Sequence, residues 1–326
     1  MDPEAKPRVP FATLMALDRV DLSSFKSIEK PFSPGKTNFA YGGHVYAQAV
    51  YAAAQTVREG FIVHVSNLAS HENSLLQGGG FFIRPAYIDK VFSYKVVVVR
   101  DGGSYCARLV HAFQDSDEPC FVSLCSFKGR ESGVIAHQMT LSLEEKYAIV
   151  LEGKTPEDHP MAPGIDAPWY ANYENPPTDV FPGLDMRKVN MALYNANRHP
   201  SSKVQLQYYS AIGDIPQSDV NLHACAHLYA SDRNGAFLVT NFQGCDHYSA
   251  LASLSHTVIL HDLGEALLMQ DKDGEQRWFC QEAWALRSGD GRGLHSSRLW
   301  TMDGIHLGTT VQDVLVRLTS GARANL

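Results

Sequence analysis

Few side chains in this 326-residue chain are placed by type and spacing to do chemistry. His223 and His227 stand at i and i+4, so a helix sets both imidazoles on one face, as in a two-histidine metal site. No HExxH surrounds them and no third ligand is evident, so the pair reads as core histidines. The six cysteines are scattered without a CxxC, which reads as reduced thiols rather than a zinc site or a disulfide framework. Asp232, taken alone, reads as a helix cap or the partner of a nearby arginine. Ser253 lies in an apolar run, where a hydroxyl is often bonded to backbone. Gln312, flanked by valines, is a buried amide that needs partners. Arg84 and Arg108 could neutralise phosphates, although arginines at strand ends usually pair with acids. The chain has no GxGxxG, no P-loop and no GxSxG elbow, which disfavours a serine hydrolase of the α/β type.

The element that organises the chain is Tyr41–Val57, almost uncharged, rich in alanine and opened by Gly42 and Gly43. Alanine is the best helix former, and 17 residues make a helix of about 25 Å. Its apolar residues surround the axis, so it belongs in an interior. The glycines suit a tight entry and a backbone that something approaches closely. Three β-like runs follow at Phe92–Arg100, Tyr105–Gln114 and Cys120–Lys128. The first carries four consecutive valines and reads as a buried strand, and Asp101-Gly102-Gly103 reads as its hairpin turn. A short helical patch is expected near Phe11–Leu17.

From Gly129 to about Pro200 the prolines crowd together and no period persists, which reads as a connector laid over the surface. The second half then repeats the first. Asp219–Val239 takes the helical place, and Ser255–His261, Glu265–Met269 with Trp278–Arg287, Leu294–Met302 and Ile305–Leu318 are its strands. RDGGSYCARL (Arg100–Leu109) and RSGDGRGLHSSRL (Arg287–Leu299) share a glycine turn, a short strand and a closing Arg-Leu pair. Two divergent copies of one supersecondary unit account for this order. The expected division is a first unit over 1–130, a proline-rich linker over 131–200 and a second unit over 201–326.

Composition narrows the function. With 44 % hydrophobic and 19 % charged residues the chain is globular, and its formal charge of −7 argues against nucleic acid as a partner. No run of 18 apolar residues is present, so no membrane span is expected. The N-terminus lacks a long apolar h-region, so secretion is not expected either. The ending Ala324-Asn325-Leu326 loosely follows the small-polar-leucine peroxisomal address; otherwise a cytoplasmic protein is expected.

Several motifs, in order over roughly Lys36–Leu318, resemble those of the type II acyl-CoA thioesterases, the family of bacterial thioesterase II and the peroxisomal acyl-CoA thioesterases. Tyr41-Gly42-Gly43-His44-Val45-Tyr46-Ala47-Gln48-Ala49 is similar to the family's FGGQ-x-x-x-Q-A opening. Phe82-Ile83-Arg84-Pro85 is similar to its F-L-R-P strand entry. Val98–Tyr105 with Ala107-Arg108 is similar to its R-D-G-x-S-F-x-x-R hairpin. Tyr229-Ala230-Ser231-Asp232 and Thr310-Val311-Gln312 are similar to Y-A-S-D and T-V-Q.

The resemblance implies an α+β double hotdog, with two antiparallel sheets each wrapped around a long central helix. It implies hydrolysis of an acyl-CoA substrate to free acid and coenzyme A, with no cofactor and no metal, in a homo-oligomer. The family's catalytic trio falls on Asp232, Ser253 and Gln312, the serine lying in Ala252-Ser253-Leu254-Ser255-His256, which resembles A-[ST]-[IL]-D-H; Ser255 stands in the same run. Such a trio makes chemical sense. A carboxylate accepts the proton of an attacking water, while a hydroxyl and an amide fix its orientation. Gly42, Gly43, His44, Arg84 and Arg108 are the expected substrate contacts. The chain departs from the family where H-S-x-W-F-H becomes His256-Thr257-Val258-Ile259-Leu260-His261, and where Gly78-Gly79-Gly80 replaces a histidine-rich segment. These changes leave room for a non-hydrolytic acyl-binding protein, for release of a polyketide, or for hydration or dehydration of an enoyl thioester.

Overall fold

The computed structural model describes residues 8–35, 37–66, 80–131, 133–139, 142–171, 181–245 and 248–319. Residues 67–79, with Gly78 and Gly79 of the glycine triplet, and the tail Ala324-Asn325-Leu326 lie outside the described residues. The alanine-rich run forms its helix. Short α1 (Phe11–Met15) precedes it, and α2 (Gly42–Ala54) is buried over almost its whole surface. Small side chains let the sheet close around α2 on several sides, which a one-faced amphipathic helix does not allow.

In the first half β1 (Leu17–Arg19), β2 (Ser24–Ser27), β3 (Phe61–Ser66), β4 (Gly80–Phe82), β5 (Ser93–Asp101), β6 (Tyr105–Phe113) and β7 (Phe121–Gly129) wrap α2. The connector is not featureless. It supplies α3 (Leu143–Leu151), α4 (Pro168–Ala171), the edge strand β8 (Leu184–Lys188) and α5 (Ala192–Asn195). The second half follows as β9 (Gln205–Ala211), α6 (Val220–Ser231), α7 (Gly235–Asn241), β10 (Tyr248–Leu260), β11 (Phe279–Gly289), β12 (Arg292–Thr301) and β13 (His306–Leu318).

The strands do not form two sheets as expected. They join into one antiparallel sheet in the order β1-β2-β5-β6-β7-β3-β10-β13-β12-β11-β9-β8, with β4 bridging β7 and β10. The halves fuse where β3 pairs with β10, Val258 opposite Ser66. The valine run also departs from expectation. Val96 is buried, but Val97, Val98 and Val99 are 41 %, 55 % and 55 % exposed. β2 pairs with β5 at Ser93–Lys95 and the Val96 N–H still reaches the Ser23 carbonyl at 2.7 Å, but beyond Val96 that edge of the strand has no strand partner among the described residues.

Helices α2 and α6 pack antiparallel. The Tyr41 hydroxyl donates to the Tyr229 carbonyl at 2.6 Å at one end, and the Tyr51 hydroxyl to Asp219 at 2.8 Å at the other. This pairing sets the N-terminus of α2 against the C-terminus of α6. Helix α3 is held on the second half by the buried carboxylate of Glu282, which accepts from Lys146 at 2.5 Å, from the Trp300 indole at 3.1 Å, and from the Tyr147 hydroxyl.

Candidate active site

The sequence suggests one helix over Asp219–Val239, but the chain breaks it at the residue that matters. Asp232 is the C-cap of α6, and Asn234 takes a left-handed φ of 57° before α7 begins. The connector pins this break. The buried Arg233 guanidinium donates to the carbonyls of Gly164 (2.9 Å) and Pro163 (2.8 Å), and the Asn234 amide reaches Pro163 as well (3.1 Å). Asp232 is thereby turned toward the first turn of α2, where the Gly43 N–H is among the groups that favour its charged form. Gly42 permits the approach: a Cβ there would lie 2.8 Å from Asp232 Oδ2 and 2.9 Å from the Phe82 ring.

Gln312, fully buried on β13, donates from Nε2 to Asp232 Oδ1 and to Ser253 Oγ, the latter at 2.7 Å. The Ser253 hydroxyl lies 3.4 Å from the same carboxylate oxygen. A bulge in β10 aims this serine. The β10–β13 register slips between Ser253 and Ser255, so Ser253 and the buried His256 share the inner face, which plain alternation would forbid. Ser253 and not Ser255 therefore meets the carboxylate. Burial raises the Asp232 pKa from 3.8 to about 6, against the hydrogen bonds from Gln312, Gly43 and Ser253 and the charge of Arg233. A carboxylate of that basicity, ringed by groups that orient a water, can act as a general base near neutral pH.

The chain matches the family models for the acyl-CoA thioesterase N-terminal domain over residues 30–128 and the acyl-CoA thioesterase C-terminal domain over residues 156–316. The chain belongs to the acyl-CoA thioesterase family. It is 26 % identical to human acyl-coenzyme A thioesterase 8 over 310 residues, covering 94 % of this chain and 88 % of the relative. The mouse protein of the same name is also 26 % identical, over 85 % of this chain and 80 % of its own. The acyl-CoA thioesterase II TesB2 of Mycobacterium marinum shares the fold at a TM-score of 0.67 and 22 % identity, covering 95 % of this chain and 99 % of that one. The tesB protein of Mycobacterium avium subsp. paratuberculosis does so at 0.64 and 21 %, over 94 % and 97 %.

In this family member the other expected substrate contacts are dispersed. His44, in the first turn of α2, is fully buried, its ring nitrogens have no well-formed hydrogen bond among the described residues, and burial lowers its pKa to about 4 against the opposing influence of the Gln48 side chain. Arg84 is half exposed, paired with Glu118, two residues beyond the Phe82 that abuts Gly42. Arg108 is buried and committed to Asp101 (2.7 Å), the Thr56 hydroxyl (2.9 Å) and nearby carbonyls. Thr56 lies beyond the far end of α2, about 20 Å along the helix from Gly43, so Arg108 is not brought to Asp232. His223 and His227 each have partners: His223 accepts from the Met269 N–H at 3.0 Å, and His227 binds the Tyr209 hydroxyl and the Leu267 carbonyl, both at 2.9 Å. No group of three His, Cys, Asp or Glu side chains among the described residues could hold a metal.

Sequence reasoning missed two residues that the fold adds. His295 of β12 lies opposite Gln312 with its Nε2 2.5 Å from the Gln312 Oε1, and Gly235 lies beneath that ring. A bulge between Leu299 and Trp300 sets the register that brings 295 opposite 312, so the Asp303-Gly304 turn alone does not give the pair.

Proposed function

We propose that the protein hydrolyses an acyl-CoA thioester by direct attack of a water held by Asp232, Ser253 and Gln312. The observation that carries this reading is the convergence of the three side chains in one hydrogen-bonded cluster at the N-terminus of α2. Gln312 and Ser253 orient the water, and Asp232 takes its proton as oxygen attacks the thioester carbonyl. The C–S bond then breaks as the carbonyl re-forms, and the protonated Asp232 returns the proton to the leaving thiolate. An acid of pKa about 6 serves both steps near neutrality. The positive end of α2 beside the site favours the negative charge that develops there. No serine ester forms.

Finer features belong to the same proposal. The chain is read as a double hotdog, with units 1–130 and 201–326 joined by 131–200. Gly42, Gly43 and His44 border the acyl site, and the half-exposed Arg84 is offered to phosphates of coenzyme A, whereas the guanidinium of Arg108 is already taken up by Asp101 and Thr56. The exposed Val97–Val99 edge supports pairing with a second copy.

Free-thiol release from short, long and aromatic acyl-CoAs, by wild type and Asp232→Asn, tests the proposal. Release that falls by ~10³-fold or more in the variant supports it. Release that survives the substitution refutes the role of Asp232. Acyl-CoA binding without release from any substrate would instead identify a binding protein, and a change in enoyl absorbance would identify a hydratase or dehydratase.

A further inference from the structure

The amide of Gln312 has nearly the same shape in both of its flips, so sterics alone do not choose between them. Donors and acceptors do. With Nε2 toward Asp232 and Ser253, the amide donates to both; reversed, its oxygen would face a carboxylate and repel it. The chosen orientation leaves Oε1 pointing away from the site, fully buried, where it needs a donor. His295 stands there, 0 % exposed, with Nε2 at 2.5 Å from Oε1. The histidine on the other flank cannot substitute. His256 is the ladder partner of Gln312 across β10, but its Nε2 is taken by the Ser231 hydroxyl at 2.8 Å.

A second observation ties His295 to the space around it. A Cβ on Gly235 would lie 2.5 Å from His295 Cε1, 2.6 Å from its Nε2 and 3.0 Å from Gln312 Oε1. Gly235 has no left-handed φ, so its backbone does not demand glycine. What demands glycine is the imidazole lying over the glutamine.

We propose that His295 is a positioning residue: as an Nε2–H donor to Gln312 Oε1 it locks the amide flip that presents N–H to Asp232 and Ser253, and Gly235 supplies the room its ring requires. This rests on the trio reading above. The donor role fixes the tautomer with Nδ1 bare, and Nδ1 has no hydrogen-bond partner among the described residues. Burial holds the His295 pKa down near 4, so the ring keeps one neutral form across the working range.

The Gln312 N–H lowers the pKa of Asp232, so releasing the flip raises it. In His295→Leu the Asp232 titration moves up from about 6 by roughly one unit, and kcat at pH 7 falls roughly ten- to hundred-fold while KM changes little. His295→Gln keeps an N–H donor of similar reach and restores part of both. The experiment is a carbon-13 NMR titration of Asp232 in wild type and both variants, beside their pH–rate profiles. An Asp232 titration unchanged in folded His295→Leu overturns the proposal, as does equal impairment of the Leu and Gln variants. Should His295→Leu not fold, Gly235→Ala carries the test: its methyl displaces the ring and must raise the Asp232 titration, and must do so far less in a His295→Ala background. The NMR readout needs no turnover. Wild type that cleaves no thioester therefore sinks the hydrolase reading and leaves the coupling measurable, whereas an active enzyme without the coupling sinks only the role of His295.

Discussion

Replacing Asp232 by asparagine should abolish turnover and yet make the protein progressively more stable than wild type as the pH rises. Burial lifts the Asp232 carboxyl from 3.8 to about 6 in the folded chain. A group whose folded pKa exceeds its unfolded value binds its proton more tightly when folded, so its contribution is fully present below about pH 4. It is lost as the pH climbs through about 6. Two pKa units at 1.36 kcal/mol each make the whole loss about 3 kcal/mol, of which about half falls between pH 5 and pH 8. Asparagine is nearly isosteric, keeps one acceptor oxygen for Gln312, and does not titrate. The stability difference, variant minus wild type, should therefore grow by about 1.5 kcal/mol from pH 5 to pH 8. Urea unfolding of both proteins at several pH values measures it, and every other titrating group cancels in the difference. The same carboxyl sets the acid limb of the wild-type profile, so kcat/KM should rise through about pH 6. A difference that stays flat, or that turns against the variant as the pH rises, would mean that the hydrogen bonds outweigh burial. Asp232 would then be too weak a base for the role given to it.

Two further outcomes follow from the packing. In Gly42→Ala the new methyl sits 2.8 Å from Asp232 Oδ2. The helix gains about 1 kcal/mol of propensity against about 1–3 kcal/mol of overpacking, so thermal melts should shift little while kcat falls roughly ten- to hundred-fold. Glu282→Ala leaves the buried Tyr147 hydroxyl and Trp300 indole without their acceptor. Each orphaned donor costs about 1–3 kcal/mol, whereas Lys146 is over a third exposed and regains water, so denaturant unfolding should show a loss of about 2–6 kcal/mol.

What was legible in the sequence was what local chemistry encodes. The alanine run with its two glycines specified α2 to one residue at its start and three at its end, and the Asp101-Gly102-Gly103 turn fixed the β5–β6 hairpin, because propensity and turn chemistry act over a few neighbours. Asp232 and Gln312 were legible only through the order of motifs, since an isolated aspartate at a helix end is usually a cap. The rest depends on pairings that no short window holds. Whether Ser253 or Ser255 faces the carboxylate turns on one bulge in β10, and a slip of one residue reverses every side chain beyond it. The break that aims Asp232 is held from Pro163 and Gly164, some seventy positions away in a segment that reads as mere connector. The four valines signalled a buried strand by type, yet burial is decided by neighbours, and only Val96 is buried while Val97–Val99, beyond the reach of β2, are exposed. One sheet replaces two because β3 and β4 each meet β10 over a couple of residues, junctions with no pattern of their own. His295 belongs to this non-local class: its type suggested nothing, and its place opposite Gln312 with a glycine beneath it is what gives it a function to test.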